Sequence, residues 1–141
     1  MVKKKNYYCK QLRENNFKLT PQRLRIIQIL LELDHPTAPD ILKELQQDFP
    51  NTQPQTLYRT LNVLEEIGEL VPMTAFSPTK YELTSVAHPH FVCEETGEVK
   101  DAEGPEIESK LKQIKELVKK DVNKVELYIY HSCIDDISHG K

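Results

Sequence analysis

The sequence predicts an α+β protein made of two small units, and three observations carry that prediction. Apolar residues recur at helical spacing through the first half, with caps and prolines where helices should begin. After Gly68 the pattern turns to short extended runs separated by turn residues. A further strand, helix, strand alternation fills the rest of the chain.

Thr20-Pro21 offers an N-cap followed by a proline at the first helical position, and LRIIQILLEL (24 to 33) then runs apolar nearly all round. Such a helix belongs at the buried centre of a small bundle. Thr37 opens the next helix with Asp40 at capping-box distance, and Ile41, Leu42 and Leu45 face inward. Thr52 opens another, with Gln55 three residues later and Gly68 just past its end. Leu57, Leu61, Leu64 and Ile67 share its buried stripe, which leaves Gln55, Tyr58, Arg59 and Asn62 facing outward. LVPMTAF and KYELT flank Ser77-Pro78-Thr79 as a hairpin. Helices followed by a hairpin are the plan of a winged helix-turn-helix, whose last helix reads the major groove.

The second unit starts with FVC and EVKDA as strands around a Glu94–Gly97 turn. A helix follows with Pro105 near its start and Ile107, Leu111, Ile114 and Leu117 on one stripe. KVELYIYH closes it as a half-buried strand in which Val125, Leu127 and Ile129 alternate with Glu126, Tyr128 and Tyr130. So small an α/β unit can hardly bury a full core, and pairing with a second copy solves that problem. The expected division is residues 1–82 for DNA binding and 83–141 for dimerisation.

Charge adds a partner. The net charge is only -3, yet residues 1 to 25 hold eight basic residues against Glu14 alone, and residues 81 to 141 hold eight basic and thirteen acidic. A basic front end on an acidic body points to a polyanion at the front. Arginine takes guanine bidentately, asparagine takes adenine, and tyrosine meets a phosphate or a thymine methyl. Gln55, Tyr58, Arg59 and Asn62, with Arg23 of the basic front end, are the expected DNA contacts. No apolar run approaches the ~20 residues of a membrane span, and MVKKKNYYCK lacks the apolar region of a secretory signal. A cytoplasmic location and no membrane partner are expected. Cys9, Cys93 and Cys133, an odd number widely spaced, do not make a disulfide framework.

The stretch HPHFVCEETGEVKD (88 to 101) suggests a metal. His88 and His90, at i and i+2 in an extended segment, project from one face, and neutral imidazole suits zinc, iron, manganese or nickel. Glu82, Asp101 and the isolated His35 are candidate partners. Three nitrogens with two carboxylates are too oxygen-rich for a closed structural zinc site and suit ferrous iron or manganese. Two other readings stay open: a non-haem metal enzyme, since two histidines and a carboxylate match that facial pattern, and a DNA-binding protein whose histidines are inert.

LTPQR (19 to 23), HPTA (35 to 38), TLYRTL (56 to 61), LEEIGELV (64 to 71) and HPHFVC (88 to 93) together resemble the ferric uptake regulator family, over residues 10 to 133. The resemblance implies a homodimeric bacterial repressor with an N-terminal winged helix and a C-terminal dimerisation domain, bound to a palindromic operator. It implies a regulatory metal at the hinge on His35, Glu82, His88, His90 and Asp101, one divalent ion per subunit, Fe2+ or Mn2+, with Zn2+ as an alternative occupant of the purified protein. Most members also carry a structural zinc on two CxxC pairs. Here Thr96 and Asp136 replace one cysteine of each pair, so no four-cysteine zinc is expected, although a mixed site using Cys93 and Cys133 with His131, Asp135 or Asp136 stays open. A Cys93–Cys133 disulfide is disfavoured in a reducing cytosol, leaving the second domain to hold together by packing. A further family site, drawing on positions that Ala87 and Pro89 occupy here, looks broken.

Within the family, Asp101 is the choice of the peroxide-sensing branch, whereas Glu82 and Arg59 lean towards iron sensors. The closest resemblance is to the peroxide-sensing branch, which implies repression relieved when peroxide reacts at bound iron and oxidises His35 or His88. Reversible sensing of iron or manganese is the alternative.

Overall fold

Thr20 and Pro21 do what their types dictate. Thr20 is extended at the N-cap, its hydroxyl accepts the Arg23 N–H at 3.1 Å, and Pro21 starts a helix at no cost in hydrogen bonds. This computed structural model describes residues 2–84, 89–102, 104–118 and 125–133, apart from the side chains of residues 2 and 3. The chain divides into Met1–Ser85 and Val86–Lys141, where the sequence boundary lies after residue 82.

In the first unit the order is α1 (Val2–Glu14), α2 (Pro21–Glu32), α3 (Ala38–Asp48), α4 (Pro54–Glu66), β1 (Leu70–Met73) and β2 (Lys80–Leu83). Its core joins Leu12 of α1, Ile26, Ile27, Ile29 and Leu30 of α2, Ile41 and Leu45 of α3, and Leu57, Leu61 and Leu64 of α4. Each such side chain contributes about 1.5–3 kcal/mol on burial, so this patterned set is what holds the helices together. Gly68 ends α4 at φ 80°: its N–H reaches the Glu65 carbonyl, and the Glu69 N–H reaches that of Leu64. The left-handed conformation suits glycine, and the two bonds satisfy carbonyls the helix leaves open.

The start of α4 departs from expectation. Gln53, not Thr52, is the N-cap, and it makes no side-chain capping bond. Pro54 takes the first helical position and fixes the entry of the chain, while the Thr52 hydroxyl turns back to donate to the Phe49 carbonyl at 2.8 Å. The α3 cap is as expected, with Thr37 and Asp40 bonded reciprocally. Thr37→Ala should therefore lower stability by about 1 kcal/mol, seen as a lower urea midpoint at unchanged slope. The Thr37 backbone N–H also holds the Asp40 carboxyl below its usual range. That contribution is present above the ordinary carboxylate value and is lost as pH falls through the lowered one, so Asp40→Asn should flatten the acid limb.

In the second unit β3 (His90–Cys93) lies between β4 (Val99–Asp101), antiparallel, and β5 (Tyr128–His131), parallel, with α5 (Pro105–Val118) between β4 and β5 in sequence. Gly97, at φ 75°, closes the β3–β4 turn by donating to the Cys93 carbonyl at 2.8 Å. The predicted last strand is shorter than expected and its burial does not alternate. Tyr128 and His131 are half-buried, while Leu127, Ile129 and Tyr130 are exposed. No residue of α5 is buried either, and its stripe ends on Leu117 at 76% exposure. Among the described residues this apolar surface is left uncovered. The disulfide expectation is also overturned: Cys93 and Cys133 are joined, so packing is not the only tie between β3 and the end of β5. The register of β3 with β5 brings the two cysteines close enough to bond.

Candidate metal centre and nucleic-acid interface

His35 sits in the turn between α2 and α3 at φ 49°, a left-handed conformation in which histidine is one of the tolerated residues, and it is buried. Two contacts fix its surroundings. The Tyr81 N–H donates to the Pro36 carbonyl at 2.8 Å, and Thr37 bridges to Lys80, so β2 runs alongside this turn. Glu82, one residue beyond Tyr81, consequently brings Oε1 to 3.8 Å from His35 Nε2. That gap is wider than a hydrogen bond but suits two donors of one ion. On the other side of the ring, Asp34 Oδ1 lies 2.8 Å from Nδ1, close enough for an ion pair though outside hydrogen-bonding geometry.

The second unit supplies a matching pair. His90 opens β3, is buried, and faces Asp101 across the antiparallel ladder as its direct partner. Its Nε2 stands 3.2 Å from Asp101 Oδ1, and its ring stacks at 6.0 Å on Tyr128 of β5. Both pairs combine an imidazole nitrogen with a carboxylate oxygen, the donor chemistry of ferrous iron and manganese. These pairings were not legible from spacing, because the distance from His35 to Glu82 in sequence is closed only by β2. His88 lies outside the described residues, as do Asp135 and Asp136.

Gln55, Tyr58, Arg59 and Asn62 are exposed on α4, opposite the buried Leu57, Leu61 and Leu64. Next to them is a groove of about 410 Å³ whose lining includes Lys18, Thr20, Gln22, Arg23, Thr56 and Arg59, with no acidic residue. Arg23 is held there by donating from Nη1 to the Lys18 carbonyl at 2.8 Å. Lys18, Thr20, Gln22 and Thr56 were not singled out from the sequence as lining a groove with Arg23 and Arg59; the signal was the threonine-proline cap, which puts a helix start beside α4. Cationic side chains and hydroxyls at a helix start are the chemistry that holds a phosphate.

Among the described residues no helix is long and apolar enough to cross a membrane. Residues 14–130 match the model of the Ferric uptake regulator family. The peroxide-responsive repressor PerR of Staphylococcus aureus is 31% identical over 124 residues, covering 86% of this chain and 84% of that protein. Among solved structures, the ferric uptake regulator of Pseudomonas aeruginosa with manganese aligns at TM-score 0.69 and 31% identity, over 87% of this chain and 95% of that one. PerR of Streptococcus pyogenes aligns at TM-score 0.54 and 27% identity, over 94% and 92%. With its winged helix, its small second unit and a family match over most of its length, the chain belongs to the ferric uptake regulator family of metal-dependent transcriptional regulators.

Proposed function

We propose that this protein is a repressor that binds a palindromic operator as a homodimer and leaves it when hydrogen peroxide oxidises a histidine of its metal centre. The observation that carries this reading is Asp101, rather than a longer glutamate, at 3.2 Å from His90 in a chain 31% identical to a peroxide-responsive repressor. One divalent ion is held by His35, Glu82, His88, His90 and Asp101 together. Residues from both units then share one binding energy, and metal binding biases the orientation of the DNA-binding units by mass action. The site chemistry suits Fe2+ or Mn2+, with Zn2+ as a competitor.

Ferrous iron, when bound, would supply the electron chemistry that breaks the O–O bond of peroxide. His35 or His88 would take up one peroxide oxygen, the other leaving as water, and an oxidised imidazole is a poor ligand, so the units would regain their freedom. Anaerobic loading with ferrous iron followed by a brief peroxide pulse should add one oxygen to the peptides containing His35 or His88. Manganese-loaded protein should gain none. Iron-loaded protein that binds the metal and gains no oxygen would favour the second reading, reversible iron or manganese sensing, which Glu82 within 3.8 Å of His35 supports.

On DNA, Tyr58, Arg59 and Asn62 read base edges, Gln55 assists from the first turn of α4, and Arg23 holds a phosphate in the groove beside them. Arg23→Ala should weaken binding about equally across sequences and reduce the salt slope by about one. Arg59→Ala should instead lose about 1–3 kcal/mol of discrimination at one base pair. Titrations of cognate and scrambled duplexes at several salt concentrations separate the two.

A further inference from the structure

The regulatory donors of the second unit belong to a row of three side chains. Strand register sets Asp101, His90 and Tyr128 side by side across β4, β3 and β5, on one face of the sheet. The His90 N–H donates to the Leu127 carbonyl at 3.0 Å, so the backbone is anchored beside Tyr128 at this point. The Tyr128 ring lies along the His90 ring, with centroids 6.0 Å apart and planes 22° from parallel, an offset stack. His90 is buried and Tyr128 half-buried, and the Tyr128 hydroxyl donates to Glu126 Oε1 at 3.4 Å. The function above uses His90 and Asp101 and leaves Tyr128 without a role.

An imidazole lone pair lies in the plane of its ring, so a histidine serves an ion only when that plane is turned correctly. The turn is χ2, a broad torsion with weak preferences of its own. Asp101, 3.2 Å from Nε2, limits it in the metal-free protein. Once both groups give their donor atoms to an ion, that contact no longer holds the ring, and the flat face of Tyr128 is what remains of the row. We propose that Tyr128 is a positioning residue of the metal centre, whose ring holds the His90 imidazole plane for coordination. It acts through His90 rather than as a donor itself, and the proposal rests on the regulatory reading in which His90 is a ligand. Outer-shell partners elsewhere orient a ligating histidine by hydrogen bonds; here a stacked ring does it. The aromatic face matters and the hydroxyl does not, because the hydroxyl's partner is an exposed carboxylate two residues away in sequence. β5 thereby serves both faces of the sheet: Tyr128 backs the metal donors, while Ile129 pairs with Phe91 on the opposite side.

The test is a titration of full-length protein with Mn2+, followed by electron paramagnetic resonance. The sharp signal of free Mn2+ gives the affinity, and the zero-field splitting of the bound ion gives the symmetry of its ligands. Tyr128→Leu should weaken Mn2+ binding by the ~10–100-fold lost with an outer-shell partner and change the splitting at saturation. Tyr128→Phe should match the unaltered protein in both. Tyr128→Val, with a strand-favouring side chain, gives the same comparison where Tyr128→Leu fails to fold. Unaltered affinity in Tyr128→Leu overturns the proposal. So does weaker affinity with an unchanged splitting, because a merely structural loss leaves the occupied site as it was. A Tyr128→Phe variant as weak as Tyr128→Leu overturns it too, moving the effect from ring to hydroxyl. His90→Ala separates this from the reading beneath it. If His90→Ala binds Mn2+ undiminished, His90 is no ligand and the regulatory centre falls together with the role of Tyr128. If His90→Ala binds weakly while Tyr128→Leu binds as before, only the role of Tyr128 falls.

Discussion

His90→Ala should abolish metal-dependent DNA binding while leaving the dimer intact. Coupling between an effector ion and a second ligand is typically about 1–3 kcal/mol, or roughly 5–150-fold in affinity. The whole of that difference between metal-loaded and chelated protein should disappear in the variant. The reason is local. His90 is buried at the start of β3, its Nε2 meets Asp101 at 3.2 Å, and alanine leaves that carboxylate without its imidazole. The apolar residues Phe91 and Ile129 are untouched, so self-association should persist. His88→Ala is expected to behave alike from its place in the HPH motif. The measurement is operator titration with and without metal, paired with sedimentation of the same samples. A variant that falls into monomers would turn the regulatory centre into a structural one. A variant that still responds to metal would remove His90 from it.

Ile129→Glu should do the opposite, breaking the dimer without touching any metal donor. Phe91 and Ile129 are direct partners on adjacent strands and share one face of the sheet, each 37% exposed in the single chain. On α5, Ile114 and Leu117 are exposed as well, at 45% and 76%. Monomeric proteins rarely leave so many large apolar side chains uncovered, and a second copy of the same unit is the occupant that the family and the small size of this unit favour. Placing a carboxylate there without a partner costs several kcal/mol, so the dimer constant should weaken by about two orders of magnitude or more, each tenfold being about 1.4 kcal/mol. Operator affinity should fall with it, because a palindrome binds two linked recognition helices far better than one. Light scattering across a concentration series tests the first half and operator titration the second. A dimer of undiminished strength would place the interface elsewhere.

These two predictions draw on different sources of information. The faces of α4 were legible because helical period alone divides it: Leu57, Leu61 and Leu64 inward, Gln55, Tyr58, Arg59 and Asn62 outward. The hairpin was legible from its turn residues, and the Thr37–Asp40 cap from its spacing. Period failed at Leu127 and Ile129, which pattern assigned to a half-buried face and the fold leaves exposed. Alternation says which residues share a face, but not whether the same chain covers that face. The start of α4 failed for a smaller reason. A capping threonine and a helix-starting proline competed for adjacent positions, and the ring of Pro54, which fixes φ, prevailed.

The sequence by itself determined the α+β class, the winged-helix plan, the outward recognition face and the candidate ligand types. Those follow from short-range rules: period, caps, turn residues and side-chain chemistry. Only the tertiary structure decided that Glu82 meets His35, that Asp101 meets His90 across a ladder, and that Cys93 bonds Cys133. Each of those pairs is closed by strand register, which aligns residues far apart in the chain and leaves no mark on the spacing between them.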